Sequence, residues 1–171
     1  MASAPSNTAV ATSETSARVG TGDEIMLSSI WVATTTGLPA ARDFRVIVHD
    51  HRGAGRSTHS RIQYSVDQMA ADTIALMDRL GVERANYVGH STGGAIGQTI
   101  AQDHPERIAS LVLSATWAGP DAYFRRCFET RKELLLHRGF ESYWRASVVM
   151  LRPPPWISEN DALLQEEMRR L

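Results

Sequence analysis

Two kinds of apolar spacing alternate along the middle of this chain. Phe44 to Asp50, "FRVIVHD", is a run of β-branched and apolar residues with the make-up of a buried strand, and "EIMLSS", Glu24 to Ser29, is a shorter run set off by a Thr21-Gly22-Asp23 turn. After the turn "HRGAGRS" the spacing changes. Val66, Met69, Ile74, Met77 and Leu80 then recur at helical intervals, with Ser65-x-x-Gln68 as a capping box in front and Gly81 as the C-terminal stop. "ANYVG" follows as a strand, "TGGAIGQTIAQDH" as a helix ending before Pro105, and "IASLVLSAT" as another strand.

This alternation predicts an α/β fold in which a mostly parallel sheet is covered by helices on both faces. Functional groups in such a fold gather at the carboxyl ends of the strands, where Asp50, Ser91 and Thr116 fall. From Asp121 onward the pattern is helical throughout, broken at Pro153 to Pro155, with Ser158 or Asn160 placed to cap the last helix. The expected organisation is a leader over 1–20, the N-terminal part of the core over 21–118 and a helical cap segment over 119–171. The leader is rich in Ala, Ser and Thr and has no apolar stretch of signal-peptide type, so disorder is expected there.

Composition narrows the partners. A net charge of -1, from 18 basic and 19 acidic residues, provides no broad field for nucleic acid or an anionic membrane, so a small-molecule substrate is expected. No apolar run is long enough to cross a bilayer. Cys127 is the single cysteine; it allows no internal disulfide or cysteine-rich metal site and suits a cytoplasmic location. Neither a metal nor an organic cofactor is implied, and the oligomeric state stays open.

The chemistry centres on Gly89-x-Ser91-x-Gly93. Alone the pattern is weak, since roughly one random chain of this length in twenty would hold it. Here it follows an apolar strand and opens a helix, the setting of a nucleophile elbow. A serine on so sharp a turn has strained backbone angles and needs tiny neighbours, which Gly89 and Gly93 supply. The helix N-terminus directs free N–H groups at the hydroxyl, and the Thr92 amide is placed to donate to an oxyanion. The competing reading is a glycine-rich turn in which Ser91 caps the helix, with or without a bound anion.

Three stretches together resemble the α/β-hydrolase superfamily: "VIVHDHRGAGRS", the helix from Ser65 to Val82, and "YVGHSTGGAIG" followed by "HPERIASLVL". Within it the chain is similar to the pyrimidine-utilisation aminoacrylate (carbamate) hydrolases and the 3-oxoadipate enol-lactonases. "TWAGPDAYFRRCFETRKELL" and "PPPWIS" lean toward the first. The resemblance implies Ser91 as nucleophile, Thr92 as backbone oxyanion donor, and Gly89, His90 and Gly93 as residues shaping the site. It further implies hydrolysis of a small ester, lactone or carbamate through an acyl-enzyme, with Asp50 and the ion-pairing Arg52 structural and His90 a packing or hydrogen-bonding residue.

Two parts of the family pattern are missing. The acid and the base should follow the serine in the order Asp or Glu, then His. After Ser91 only His104 and His137 remain, both expected as helix-end or surface residues, and neither Asp103 nor Asp121 has a suitable partner. The oxyanion loop, "IWVATTTGLPAARDF", has no glycine before Gly37, whereas a shifted reading frame there is compatible with Leu-Gly-Gly and a later Trp. A frame disruption between about Ser29 and Ala41 is therefore expected, and the single lysine against 17 arginines fits GC-rich coding DNA with few stops in other frames. The chain is expected to be truncated and inactive or nearly so, with Ile108 to Ala115 at a sheet edge. A non-catalytic binding or scaffold protein of the same fold, or a functionless fragment, stands as the alternative.

Overall fold

A computed structural model of the chain describes residues 8–11, 16–19, 24–29 and 43–170, with side chains described from Asp43 onward. The chain divides into two compact units, Met1–Ala118 and Gly119–Leu171. The first holds a six-stranded sheet of β1 (Thr8–Ala11), β2 (Ser16–Val19), β3 (Glu24–Ser29), β4 (Phe44–Asp50), β5 (Ala85–His90) and β6 (Ile108–Ser114), in the order β1-β2-β4-β3-β5-β6. β4, β3, β5 and β6 run parallel, while β2 pairs antiparallel with β4 and β1 antiparallel with β2. Helix α1 (Val66–Arg79) connects β4 to β5, and helix α2 (Thr92–Asp103) with a 3₁₀ turn at Pro105–Arg107 connects β5 to β6.

β1 and β2 lie inside the stretch expected as a disordered leader. Strand pairing needs only backbone donors and acceptors, and the small Ala, Ser and Thr side chains that suggest disorder by composition do not hinder it. Here β2 pairs Ser16 to Val19 with Asp50 to Ile47 of β4.

The order of the parallel strands decides where a site can form. From β3 the chain steps to β4 on one side, then crosses back to β5 on the other, so the strand order reverses between β3 and β5. Register keeps these ends level: Ser29 of β3 stands opposite Gly89, and Ser28 opposite both Val48 and Val88.

Local signals build the elements as their residues dictate. Ser65 Oγ accepts from the Gln68 amide at 3.1 Å, although the Gln68 side chain goes to Asp72 (3.2 Å) and does not close the box. At the other end Gly81 takes φ 65, its amide donating to Asp78 and the Val82 amide to Met77, which is a Schellman stop. Ile47, Leu76, Met77, Val82, Tyr87, Ile96, Ile100 and Ile108 form the buried core. Consecutive Val46 and Ile47 are both buried, so β4 is covered on both faces. β6 is last in the order; burial is high at Ile108 but lost at Val112 and Leu113, which are 53% and 43% exposed.

The second unit is helical. α3 (Ala122–Leu151) starts at Asp121, whose Oδ1 accepts from the Phe124 amide at 2.7 Å, and breaks at Gly139 (φ 81, ψ 178). A straight helix would separate Arg131 and Ser147 by about 24 Å. Instead Arg131 Nε donates to Ser147 Oγ at 3.0 Å and its Nη2 to Tyr143 Oη at 2.7 Å, so the two halves fold back as a hairpin. The Arg131 guanidinium lies over the Phe128 and Tyr143 rings. Half-buried Cys127 sits on the first half. α4 (Pro154–Glu159) and α5 (Asp161–Arg169) follow. Neither expected residue caps α5 with its side chain: Ser158 Oγ donates to Pro154 O, and Asn160 Nδ2 donates back to Trp156 O at 2.8 Å.

Candidate functional site

Ser91 sits between β5 and α2 with φ 53 and ψ −121. Among the described residues only Ser91 and Ala115 combine a side chain with positive φ. The glycines around it allow this geometry. A Cβ on Gly89 would lie 2.5 Å from the Gly93 carbonyl oxygen and 2.6 Å from Gly94 Cα; one on Gly97 would meet the Tyr87 ring at 2.6 Å. Gly93 is buried, and its carbonyl accepts from Tyr87 Oη at 3.1 Å.

The helix-cap reading of Ser91 makes a specific claim, that Ser91 Oγ accepts from an amide of the first turn as Ser65 Oγ does for α1. It does not: Ser91 makes no side-chain cap hydrogen bond. Its backbone is held instead. Ser91 N donates to Ser114 O (3.0 Å), and Ser91 O accepts from Gly94 N (2.9 Å), Ala95 N (3.3 Å) and Thr116 Oγ1 (2.7 Å). Thr92 and Gly93 are the first two residues of α2, where a helix leaves its N–H groups without intrahelical acceptors.

His90 is exposed, its Nδ1 3.3 Å from Ser114 Oγ. Thr92 is half-buried. His104 ends α2 and lies 3.8 Å from Glu106; His137 is 70% exposed and pairs with Glu133 on its own helix. Asp103 is exposed at the end of α2, and Asp121 is engaged as the cap of α3. Among the described residues, none hydrogen-bonds the Ser91 hydroxyl, and no cluster of His, Cys, Asp or Glu is arranged to hold a metal. The oxyanion-loop stretch, and with it the expected frame disruption between Ser29 and Ala41, lies outside the described residues beyond Ser29 itself.

At the end of β4, Asp50 organises the glycine turn. Its Oδ2 accepts from the Arg56 amide at 3.0 Å, its carbonyl accepts from Ser57 Oγ at 2.7 Å, and Gly55 (φ 53) approaches so closely that a Cβ there would overlap the carboxylate. Arg52 meets Asp72 of α1 in a bidentate pair, Nε to Oδ2 at 2.8 Å and Nη2 to Oδ1 at 2.5 Å, with side chains 12% and 10% exposed. The turn is thereby tied to α1.

His49 carries no motif that marks it in the sequence. It lies buried on β4, with Nε2 3.4 Å from Thr73 Oγ1 and Nδ1 without a partner among the described residues. Burial drives its pKa down from 6.5 to about 3, helped by neighbouring His51 and opposed by Asp72. His51 is also lowered by burial, against the pull of Asp50 and Asp72. The only sequence signal for His49 was a polar residue at an inward position of an otherwise apolar strand. A separate open hollow of about 600 Å³, lined by Asp78, Gly81 to Arg84, Glu106 and Arg107, lies where α1 ends and β5 begins, at the opposite end of that strand from Ser91.

Comparison with known proteins places this geometry in a family. Residues 28–149 match the model of the alpha/beta hydrolase fold. A protein bearing the name carbamate hydrolase RutD, from Azorhizobium caulinodans, is 42% identical over 155 residues, 86% of this chain and 58% of that protein. The crystal structure of a hydrolase from Pseudomonas aeruginosa PA01 superposes with a TM-score of 0.72 at 30% identity, over 96% of this chain and 65% of that one. The enol-lactonase from Burkholderia xenovorans LB400 gives a TM-score of 0.68 at 25% identity, over 91% of this chain and 64% of that one. The chain thus spans about three fifths of the Azorhizobium relative. With the strand order, the strained serine after β5 and a family match over most of its length, the chain belongs to the α/β-hydrolase fold family.

Proposed function

We propose that Ser91 is the nucleophile of a hydrolase acting on a small ester, lactone or carbamate. The observation that carries this reading is the strained conformation of a non-glycine residue whose hydroxyl is not engaged in capping the helix it precedes. In this reading Ser91 Oγ attacks the acyl carbon, and the negative charge that develops on the carbonyl oxygen is met by the Thr92 amide and the N-terminus of α2. The alcohol or amine departs with a proton, leaving an acyl-serine that water hydrolyses to the acid and free serine. Gly89 and Gly93 keep the turn tight, and His90 lies beside it. The names of the relatives, a carbamate hydrolase and an enol-lactonase, support a small, roughly neutral acyl substrate.

The reaction requires a base for Ser91 and an acid to orient it, and no described residue serves Ser91 in this way. The isolated chain accordingly turns over slowly or not at all. We assign residues 119–171 to a cap selecting substrate, and we place the protein in the cytoplasm, as Cys127 alone suggests, acting without nucleic acid, membrane, metal or cofactor. The absence of a described base at Ser91 also supports a second reading, a binding protein that keeps the fold without catalysis.

Joining residues 1–171 to the part of the Azorhizobium relative that this chain does not span separates the two. Hydrolysis of an activated short-chain ester that disappears with Ser91→Ala is expected. A well-folded joined protein with no Ser91-dependent turnover supports the binding reading.

A further inference from the structure

We propose that Thr116 is a positioning residue for Ser91, holding the Ser91 carbonyl from outside the helix and so fixing the strained turn. Its link to catalysis rests on Ser91 being the nucleophile; its grip on the turn does not.

The argument begins with how Ser91 is constrained. A side-chain-bearing residue at positive φ persists only where its surroundings over-determine it. The two hydrogen bonds donated by the Gly94 and Ala95 amides to Ser91 O belong to the start of α2 and would form around any residue beginning that helix. Two other bonds come from the end of β6 and the residues just past it. Ser114 O accepts the Ser91 amide at 3.0 Å, and Thr116 Oγ1 donates to the Ser91 carbonyl at 2.7 Å. Ser91 is thus gripped at both ends of its backbone by residues that flank Ala115.

Ala115 is the second strained residue, with φ 46. Continued extension of β6 would carry Thr116 onward along the strand, whereas the left-handed residue turns the chain back toward the serine. Close packing accompanies the bond. A Cβ on Gly94 would lie 2.5 Å from Thr116 Cβ, 2.6 Å from its Oγ1 and 2.7 Å from its Cγ2. Thr116 therefore rests on the backbone of the helix's first turn, and its β-branch leaves little freedom at χ1 for the hydroxyl to swing away. Two strained turns, on adjacent parallel strands, are joined by this contact.

Substitution can separate grip from fold. Thr116→Val keeps the shape and removes the donor, yet leaves Ser91 O with two amide partners, so no buried acceptor is orphaned. Thr116→Ser keeps the donor. Amide hydrogen exchange read by NMR is the deciding measurement: with Thr116→Val, the Ser91, Gly94 and Ala95 amides exchange about five- to tenfold faster, the scale of one hydrogen bond. The Val88 amide does not change, and Thr116→Ser restores the wild-type rates. Unchanged exchange at those three amides in Thr116→Val overturns the proposal. Thr116→Ala serves the same comparison if the valine variant does not fold.

Fluorophosphonate labelling, with Ser91→Ala as the blank, tests the catalytic link. A drop of about tenfold in the labelling rate, restored by Thr116→Ser, supports it. Faster exchange with an unchanged labelling rate overturns the catalytic link. Faster exchange in a protein whose wild type takes no label sustains the grip on the turn and defeats the nucleophile reading instead.

Discussion

Acid should unfold this protein more steeply than a His49→Leu variant, because His49 folds as a neutral, buried imidazole. Its pKa falls from 6.5 to about 3, chiefly through burial. The sign follows from linkage: the unfolded chain takes up the proton first, so the contribution of neutral His49 is fully present above pH 6.5 and is lost as pH falls from there toward 3. Between about pH 7.5 and about pH 5 the loss is about 2 kcal/mol, and the full shift corresponds to about 5 kcal/mol. The loss by pH 5 requires only that the folded pKa lie well below 5.

Leucine fits the comparison. Thr73 Oγ1 keeps its bond to Met69 O at 2.9 Å, and the Nδ1 that has no described partner disappears. His51, which burial also lowers, responds to acid in both proteins and cancels to first order in the difference. Urea unfolding followed by circular dichroism at the two pH values gives the wild-type loss minus the variant loss. A difference near 2 kcal/mol supports the reasoning; equal losses would refute it, showing that His49 is protonated, or solvated, in the folded chain.

Three further predictions follow from the packing. Gly89→Ala, which sets a methyl 2.5 Å from the Gly93 carbonyl oxygen, should cost about 3 kcal/mol in urea unfolding, because backbone rather than a flexible side chain must move. Ala115→Gly should add about 0.5–1 kcal/mol of stability by relieving the residue at φ 46, measured the same way. Asp72→Asn, which leaves the mostly buried Arg52 with a neutral partner, should cost about 2–3 kcal/mol, and the loss should shrink when Arg52→Gln is combined with it.

Much of the first unit was legible because its signals are local. Ser65 and Gly81 bracket α1 in the sequence and in the structure, and "FRVIVHD" and "EIMLSS" become β4 and β3 with the boundaries their apolar runs suggest. The strand-to-helix turn at Ser91 was legible for the same reason, since Gly89, Ser91 and Gly93 all fall within it. What escaped the reading was non-local. Nothing near Thr8 or Ser16 announces pairing with each other and with β4, and Gly139 looked like one glycine in a helical run until Arg131 and Ser147 were seen in contact across it. In the sequence Thr116 reads only as a strand end; its bond to Ser91 O depends on the positive-φ turn at Ala115, which no alanine signals by itself. An inward histidine in an apolar strand reads as filler, and only the burial of His49 on all sides reveals the cost of its charge.

The central claim, that Ser91 is a nucleophile held ready by its turn, is tested most directly by exposing the purified 171-residue chain to an excess of a fluorophosphonate and mapping the modified peptide. Slow but selective modification that reaches one label per chain at Ser91, and vanishes with Ser91→Ala, is the predicted result. No label at Ser91 after prolonged exposure of a folded chain, or label spread over other serines at comparable rates, would contradict it.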